Sequence, residues 1–204
     1  MNDPSSPWNS DLASSSPAVD MSAAGEEEAR SLFQGDDGSF MVNWPYVYQA
    51  AKDAVKETAL DQSVVDDIAW ARYPEATAGT SSKPPLGGIN LAIGAFTKYP
   101  SEALAAAKCI TSLESGIQYM LKSGNPAARA AAYDDPEVRK AFPMADLIRD
   151  SINDAGPRPV TPYYGDVSTS VQRTWHPPED VHDPSTPEKT DDYMSDVLSG
   201  NALL

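Results

Sequence analysis

Cysteine is almost missing from this chain: Cys109 stands alone among 204 residues. That excludes an intrachain disulfide and a zinc site built on paired thiolates. Histidine is nearly as scarce, and His176 and His182 share one Pro-rich stretch where ring orientation is hard to fix. No metal and no cofactor is therefore expected. With both histidines on one loop and no Gly-x-Ser-x-Gly elbow, neither a Ser-His-Asp nor a Cys-His arrangement can be argued. Gly87-Gly88 lacks the full dinucleotide fingerprint and the lysine of a phosphate loop. Basic residues are outnumbered two to one, 15 against 30 acidic, for a formal net charge of −15. Such a surface repels phosphate backbones and anionic headgroups, so nucleic acid is not an expected partner. No window approaches the roughly 18 to 20 consecutive apolar residues of a membrane span. The opening MNDPSSPWNSDLASSSPAVD has no basic n-region, no apolar h-region and no cysteine to carry a lipid. Read literally, the polypeptide stays in the cytoplasm where it is made.

What is present is a helix-rich middle between poorly packed ends. Residues 1–24, rich in Ser, Pro, Asp and Asn, bury too little apolar surface to offset their ordering entropy and are expected to be disordered, with Trp8 the one aromatic in them. AGEEEARSLFQ over 24–34 predicts a short helix, its three glutamates set against the helix dipole and Gly35 at its C-terminus. Ser39–Trp44 alternates like a strand, stopped by Pro45. A one-faced helix follows through Val47, Ala50, Ala51, Ala54 and Val55. Ile68–Pro74 reads as a strand, and Leu86–Phe96 as a buried strand with glycine at its entry. A long helix is expected from Ser101 to the Gly124-Asn125-Pro126 stop, with Cys109 packing off the centre of its apolar stripe. Shorter helices fit residues 128–142, interrupted at Pro136, then 144–155, closed by Gly156. Further segments fit 164–175 and 191–198.

Paired carboxylates such as Asp66-Asp67 and Asp134-Asp135 are expected by chance in a chain with 30 acids and read as solvated or capping groups. Three other groups stand at segment ends. Asn43-Trp44-Pro45-Tyr46 lies where a strand gives way to a helix, a position from which α/β proteins present ligand contacts. Leu86-Gly87-Gly88 offers backbone donors and acceptors with no side chain in the way. Arg158, between Pro157 and Pro159, is a planar donor fork on a stiffened backbone. An aromatic face, open backbone and a guanidinium together suit a neutral polyol, whose apolar C–H faces stack and whose hydroxyl pairs are clamped. Each also has a purely structural reading: Trp44 as core, the glycines as a tight turn, Arg158 as one half of a surface ion pair.

The order EEEARSLFQGDDGSFMVNWPYV, PPLGGINLAIGAFTKYPSEALAAAKCITS, NPAARAAAYDDPEVRKAFPMADLIRDSINDAGPRPVTPYY and DVSTSVQRTW resembles the carboxy-terminal half of bacterial extracellular solute-binding proteins of the maltose-binding kind. It looks most similar to the trehalose-binding lipoproteins of mycobacteria and related actinobacteria. The resemblance runs from about Glu26 to the end. It implies an α/β fold, a helix-rich partial carboxy-terminal lobe (residues 25–204) of a two-lobed, type II periplasmic-binding-protein-like molecule. It also implies no enzyme activity, a disaccharide ligand, and ABC permease subunits as partners. The positions matching the family's contact segments are Trp44, Tyr46, Leu86, Gly87 and Arg158, with Tyr163, Tyr164 and Trp175 behind them. Family members are about twice this length, extracytoplasmic and lipid-anchored. The expectation is therefore a truncated reading frame, a gene remnant or a misplaced start, with weak sugar binding or none. Two rivals are a small acidic protein-interaction module with no sugar-binding role, and a glycoside hydrolase, which needs two carboxylates at fixed separation across a cleft.

Overall fold

The computed structural model describes residues 24–35, 38–75, 77–177, 181 and 183–204. Trp8, His182 and the predicted tail over 1–24, apart from Ala24, lie outside them. Contacts divide the chain into two units, residues 28–158 and residues 1–27 with 159–204. Helix α1 (Glu26–Gln34) crosses the boundary in sequence.

In the larger unit, α2 (Tyr46–Lys56) and α3 (Gln62–Asp67) are followed, after a long irregular stretch, by α4 (Pro100–Ile110) and α5 (Leu113–Ser123). A 3-10 turn (Ala130–Asp134), α6 (Pro136–Ala141) and α7 (Ala145–Asp154) complete it. Its core gathers Met120, Tyr133, Val138, Phe142, Met144 and Ile148, with Tyr48, Ile117 and Leu121 packed against them. Most of these come from helices whose apolar residues recur at helical spacing, with Phe142 and Met144 contributed by the turn between α6 and α7, so the driving force is burial of one stripe from each helix. Tyr133 is fully buried, and its hydroxyl donates to the Ala127 carbonyl at 2.8 Å. Burial pushes that hydroxyl's pKa up to about 12, because the phenolate would lose its water.

Asp135 is the N-cap of α6, accepting from the Glu137 and Val138 amides, and Pro136 is the first helical residue rather than an interruption. Asp134 accepts from Arg149, while Asp146 takes a two-pronged contact from Arg139 and a further bond from Arg149. The Asp134-Asp135 pair thus acts as an ion-pair group and a cap, while Asp66 accepts from the Gln62 side chain.

In the smaller unit, α8 (Tyr164–Trp175) packs on α9 (Thr186–Leu198). The Trp175 indole donates to Thr190 Oγ1 at 2.9 Å, and that hydroxyl also lies 2.8 Å from Thr174 Oγ1 and 2.7 Å from the Thr186 carbonyl oxygen. Helix α9 starts a turn earlier than the predicted 191–198, with Pro187 in its first turn and Thr186 buried.

Several sequence expectations are corrected. The single helix from Ser101 is two helices. Its start is Pro100, with Tyr99 at the N-cap. Thr111 turns its hydroxyl back to the Ala107 carbonyl, and Ser112 caps a new helix through the Ser115 amide, so chain polarity breaks the apolar stripe. Cys109 is exposed rather than packed. Segments 39–44, 68–74 and 86–96 form no ladder among the described residues, and the pairing near them is one isolated parallel bridge, Pro85 to Gly156. Leu86–Phe96 is not buried: Ile89 is 86% and Phe96 100% exposed. An alternating or apolar pattern marks strand potential, but a strand exists only where a partner takes its backbone groups.

Candidate binding site

Trp44 precedes α2, and its own amide is taken by Asn43 Oδ1 at 2.7 Å, which fixes the turn into the helix. What seats α2 is a glycine. Gly124, the C-cap of α5, has φ +76°, and a Cβ there would lie 3.0 Å from Tyr46 Cα and 2.7 Å from Gln49 Cβ. Glycine alone combines that left-handed turn with so close an approach. On the other side of α2, Tyr48 meets Trp70 edge to face at 5.3 Å between ring centres.

The second wall is built by two distant segments. Leu86 N–H donates to the Gly156 carbonyl and Gly156 N–H to the Pro84 carbonyl, each at 2.9 Å. Nearby, Arg72 pairs with Asp154, anchoring the stretch that carries Arg158. Arg158, between its two prolines, then donates from Nη1 to the Leu86 carbonyl at 3.0 Å. Among the described residues this is the guanidinium's protein contact, so its remaining N–H groups are available to a ligand.

The walls meet at Gly87. A Cβ there would stand 2.6 Å from Trp44 Cη2 and 2.8 Å from Cζ3, so the indole lies directly against the glycine backbone. Trp44 retains 38% exposure and Leu86 47%. Four of the five sequence-predicted site residues, Trp44, Leu86, Gly87 and Arg158, are therefore brought together from three segments of one unit. An aromatic face, bare backbone and a tethered donor fork stand side by side. Such a surface can stack the C–H face of a sugar ring and hydrogen-bond its hydroxyls.

No protein-family model matches the chain. The chain is 32% identical over 152 residues to a probable ABC transporter-binding protein of Deinococcus radiodurans, a match covering 74% of this chain and 34% of that protein. In structure it is similar to the maltose-bound MalE3 of T. maritima, with a TM-score of 0.63 and 26% identity, over 87% of this chain and 43% of that one. The fold is that of part of a periplasmic-binding-protein-like molecule. The solute-binding-protein likeness therefore stands in both sequence and structure, and the chain spans less than half the length of either relative.

The other expected contact residues fare differently. Tyr46 opens α2, half-buried, with its backbone pressed towards Gly124. Tyr163 and Tyr164 belong to the smaller unit, where Tyr163 is exposed. Trp175 there is committed to Thr190. Arg72, Asp154 and Trp70 are supports that the sequence reading missed. The Arg72–Asp154 pair joins residues 82 apart, and no local pattern announces it. Trp70 carried a signal, an aromatic inside a strand-like run, that was read only for its secondary structure. Among the described residues no group of three His, Cys, Asp or Glu is placed to hold a metal, and no helix is long and apolar enough to cross a membrane.

Proposed function

We propose that the chain is a carbohydrate-binding component of an ABC importer, taking a trehalose-like disaccharide over Trp44, Tyr46, Leu86, Gly87 and Arg158 and presenting it to permease subunits. The observation that carries this reading is the convergence of the Trp44 indole on Gly87 beside the Arg158–Leu86 contact. The similarity to a maltose-bound protein and to an ABC transporter-binding protein supports the ligand class and the transport setting. The role is binding rather than catalysis, and it would be exercised on the outer side of a membrane, where the family of the resemblance works.

A site left open to solvent gives modest affinity. Closure of a second surface over the ligand supplies much of the desolvation and many of the hydrogen bonds in such sites. The chain as given should therefore bind trehalose with a dissociation constant on the order of millimolar or weaker. Calorimetric titration with trehalose, maltose and glucose tests both parts. A saturable heat for a disaccharide, lost in Arg158→Ala, is expected. The absence of any binding heat from all three would overturn the sugar reading, and micromolar affinity would overturn the open site.

A further inference from the structure

Residues 69–75 lead away from α3, and among the described residues their backbone makes no hydrogen bond to other backbone. Two side chains hold the segment instead. Trp70 stands edge to face on Tyr48, which is itself packed against the core, with the Lys52 ammonium 5.4 Å from its ring centre. Arg72, two residues on, pairs through Nη2 with Asp154, the last residue of α7. Each contact ends close to one part of the candidate site. Tyr48 lies in the first turn of α2, four residues after Trp44, whose carbonyl accepts from the Val47 amide at 3.3 Å. Asp154 lies two residues before Gly156, which is bonded to Pro84 and Leu86, and four before Arg158.

We infer that Trp70 and Arg72 are positioning residues of the binding surface: the segment 70–72 is a strut that fixes how the Trp44 indole stands relative to the Arg158 guanidinium. Its consequence for affinity rests on the sugar-binding reading of that surface; its consequence for geometry does not. The core packs α2 and α7 in register, but the site is carried at the start of one helix and beyond the end of the other, and the strut joins those two ends. Magnitudes separate this role from plain stabilisation. The Arg72 and Asp154 side chains are 37% and 44% exposed, and an ion pair so open to water adds little to folding stability. Arg72 also buries its Nε without an acceptor, which costs stability rather than adding it. What the pair does supply is direction, because a planar guanidinium meets a carboxylate in few orientations. Without it, the 155–158 stretch is held by the Gly156 bonds and the Arg158–Leu86 bond alone, all of them to the 84–86 segment, which has no ladder of its own.

NMR of the 15N-labelled full chain, without ligand, tests the geometry. In Arg72→Ala and in Asp154→Ala the Arg158 Nε–H resonance should move to the position of a freely rotating arginine, and the Leu86 and Gly156 amides should exchange at least tenfold faster. The Val138 amide on its Asp135 cap and the Trp175 indole should keep their places. The exchanged pair, Arg72→Asp with Asp154→Arg, should bring the Arg158 resonance back, a rescue that general loosening of the fold would not give. Circular dichroism checks that each variant keeps its helices. Should one fail to fold, hydrogen exchange on the unaltered chain decides: the buried Arg72 Nε–H and the Leu86 and Gly156 amides must share one degree of protection. A trehalose titration then reads affinity, which Arg72→Ala should weaken at least threefold. A parent that binds no sugar, in a protein where Arg72→Ala still frees Arg158, would sink the sugar reading and leave the strut standing. An unmoved Arg158 resonance in both variants, no rescue by the exchanged pair, unequal protection, or a variant that binds sugar as well as the parent would each overturn the inference.

Discussion

Gly87 and Tyr133 show how much rests on single atoms. A methyl added at Gly87 would stand 2.6 Å from the indole of Trp44, far inside van der Waals contact, so Gly87→Ala should swing the ring off the backbone. The expected outcome is a shifted Trp44 emission and loss of disaccharide binding, with stability changed by no more than roughly 1 kcal/mol, because the ring is partly exposed and can move. Fluorescence and chemical denaturation on the same variant separate the two effects. Tyr133 makes a pH prediction. In the fold its hydroxyl stays neutral up to about 12, whereas in the unfolded chain a tyrosine ionises near 10. Between those values the unfolded chain releases a proton that the native protein keeps, so stability is full below about pH 10 and declines as pH rises towards 12, by up to about 3 kcal/mol. Urea denaturation at pH 9 and 11 should show this decline, and Tyr133→Phe should remove most of it while costing about 1–2 kcal/mol at neutral pH through the buried Ala127 carbonyl left without its donor.

At the scale of elements, two devices set geometry. Gly124 ends α5 and lets the start of α2 close on it; Gly124→Ala would impose a Cβ on a left-handed residue and press it against Tyr46 Cα. A loss of roughly 2–4 kcal/mol is expected from the strained φ and the clash, read as an earlier denaturation midpoint. In the smaller unit, Thr190→Val removes the acceptor of the Trp175 indole and should cost about 1–2 kcal/mol, seen as a lower melting temperature. Helices were the legible part of this sequence. Glycine and proline punctuation, acidic first turns and apolar periodicity located α1, α2, α7 and α8 to within a few residues. Short polar residues defeated the reading at Thr111-Ser112, where side-chain hydroxyls compete for backbone groups and split one stripe into two helices. Strands were not legible in the same way. The runs at 39–44 and 86–96 have strand composition, yet pairing is a property of two segments, and composition reports on one.

For the whole molecule, the candidate groups stood out because their chemistry is unusual where it stands: a tryptophan before a proline, paired glycines, an arginine between prolines. Their meeting was not, because it depends on contacts such as Arg72 with Asp154 and Leu86 with Gly156, which join segments some seventy to eighty residues apart. Less than half of each relative's length is represented in the chain, and the proposed sugar binding, with its proposed low affinity, rests on one open surface of indole, backbone and guanidinium. The direct test is a trehalose titration of 15N-labelled protein followed by NMR at the tryptophan indole and arginine side-chain resonances. The account expects saturable shifts at Trp44 and Arg158, with Trp175 held unmoved by Thr190. Shifts at Trp175 with none at Trp44 and Arg158, or no shift at any of them, would contradict it.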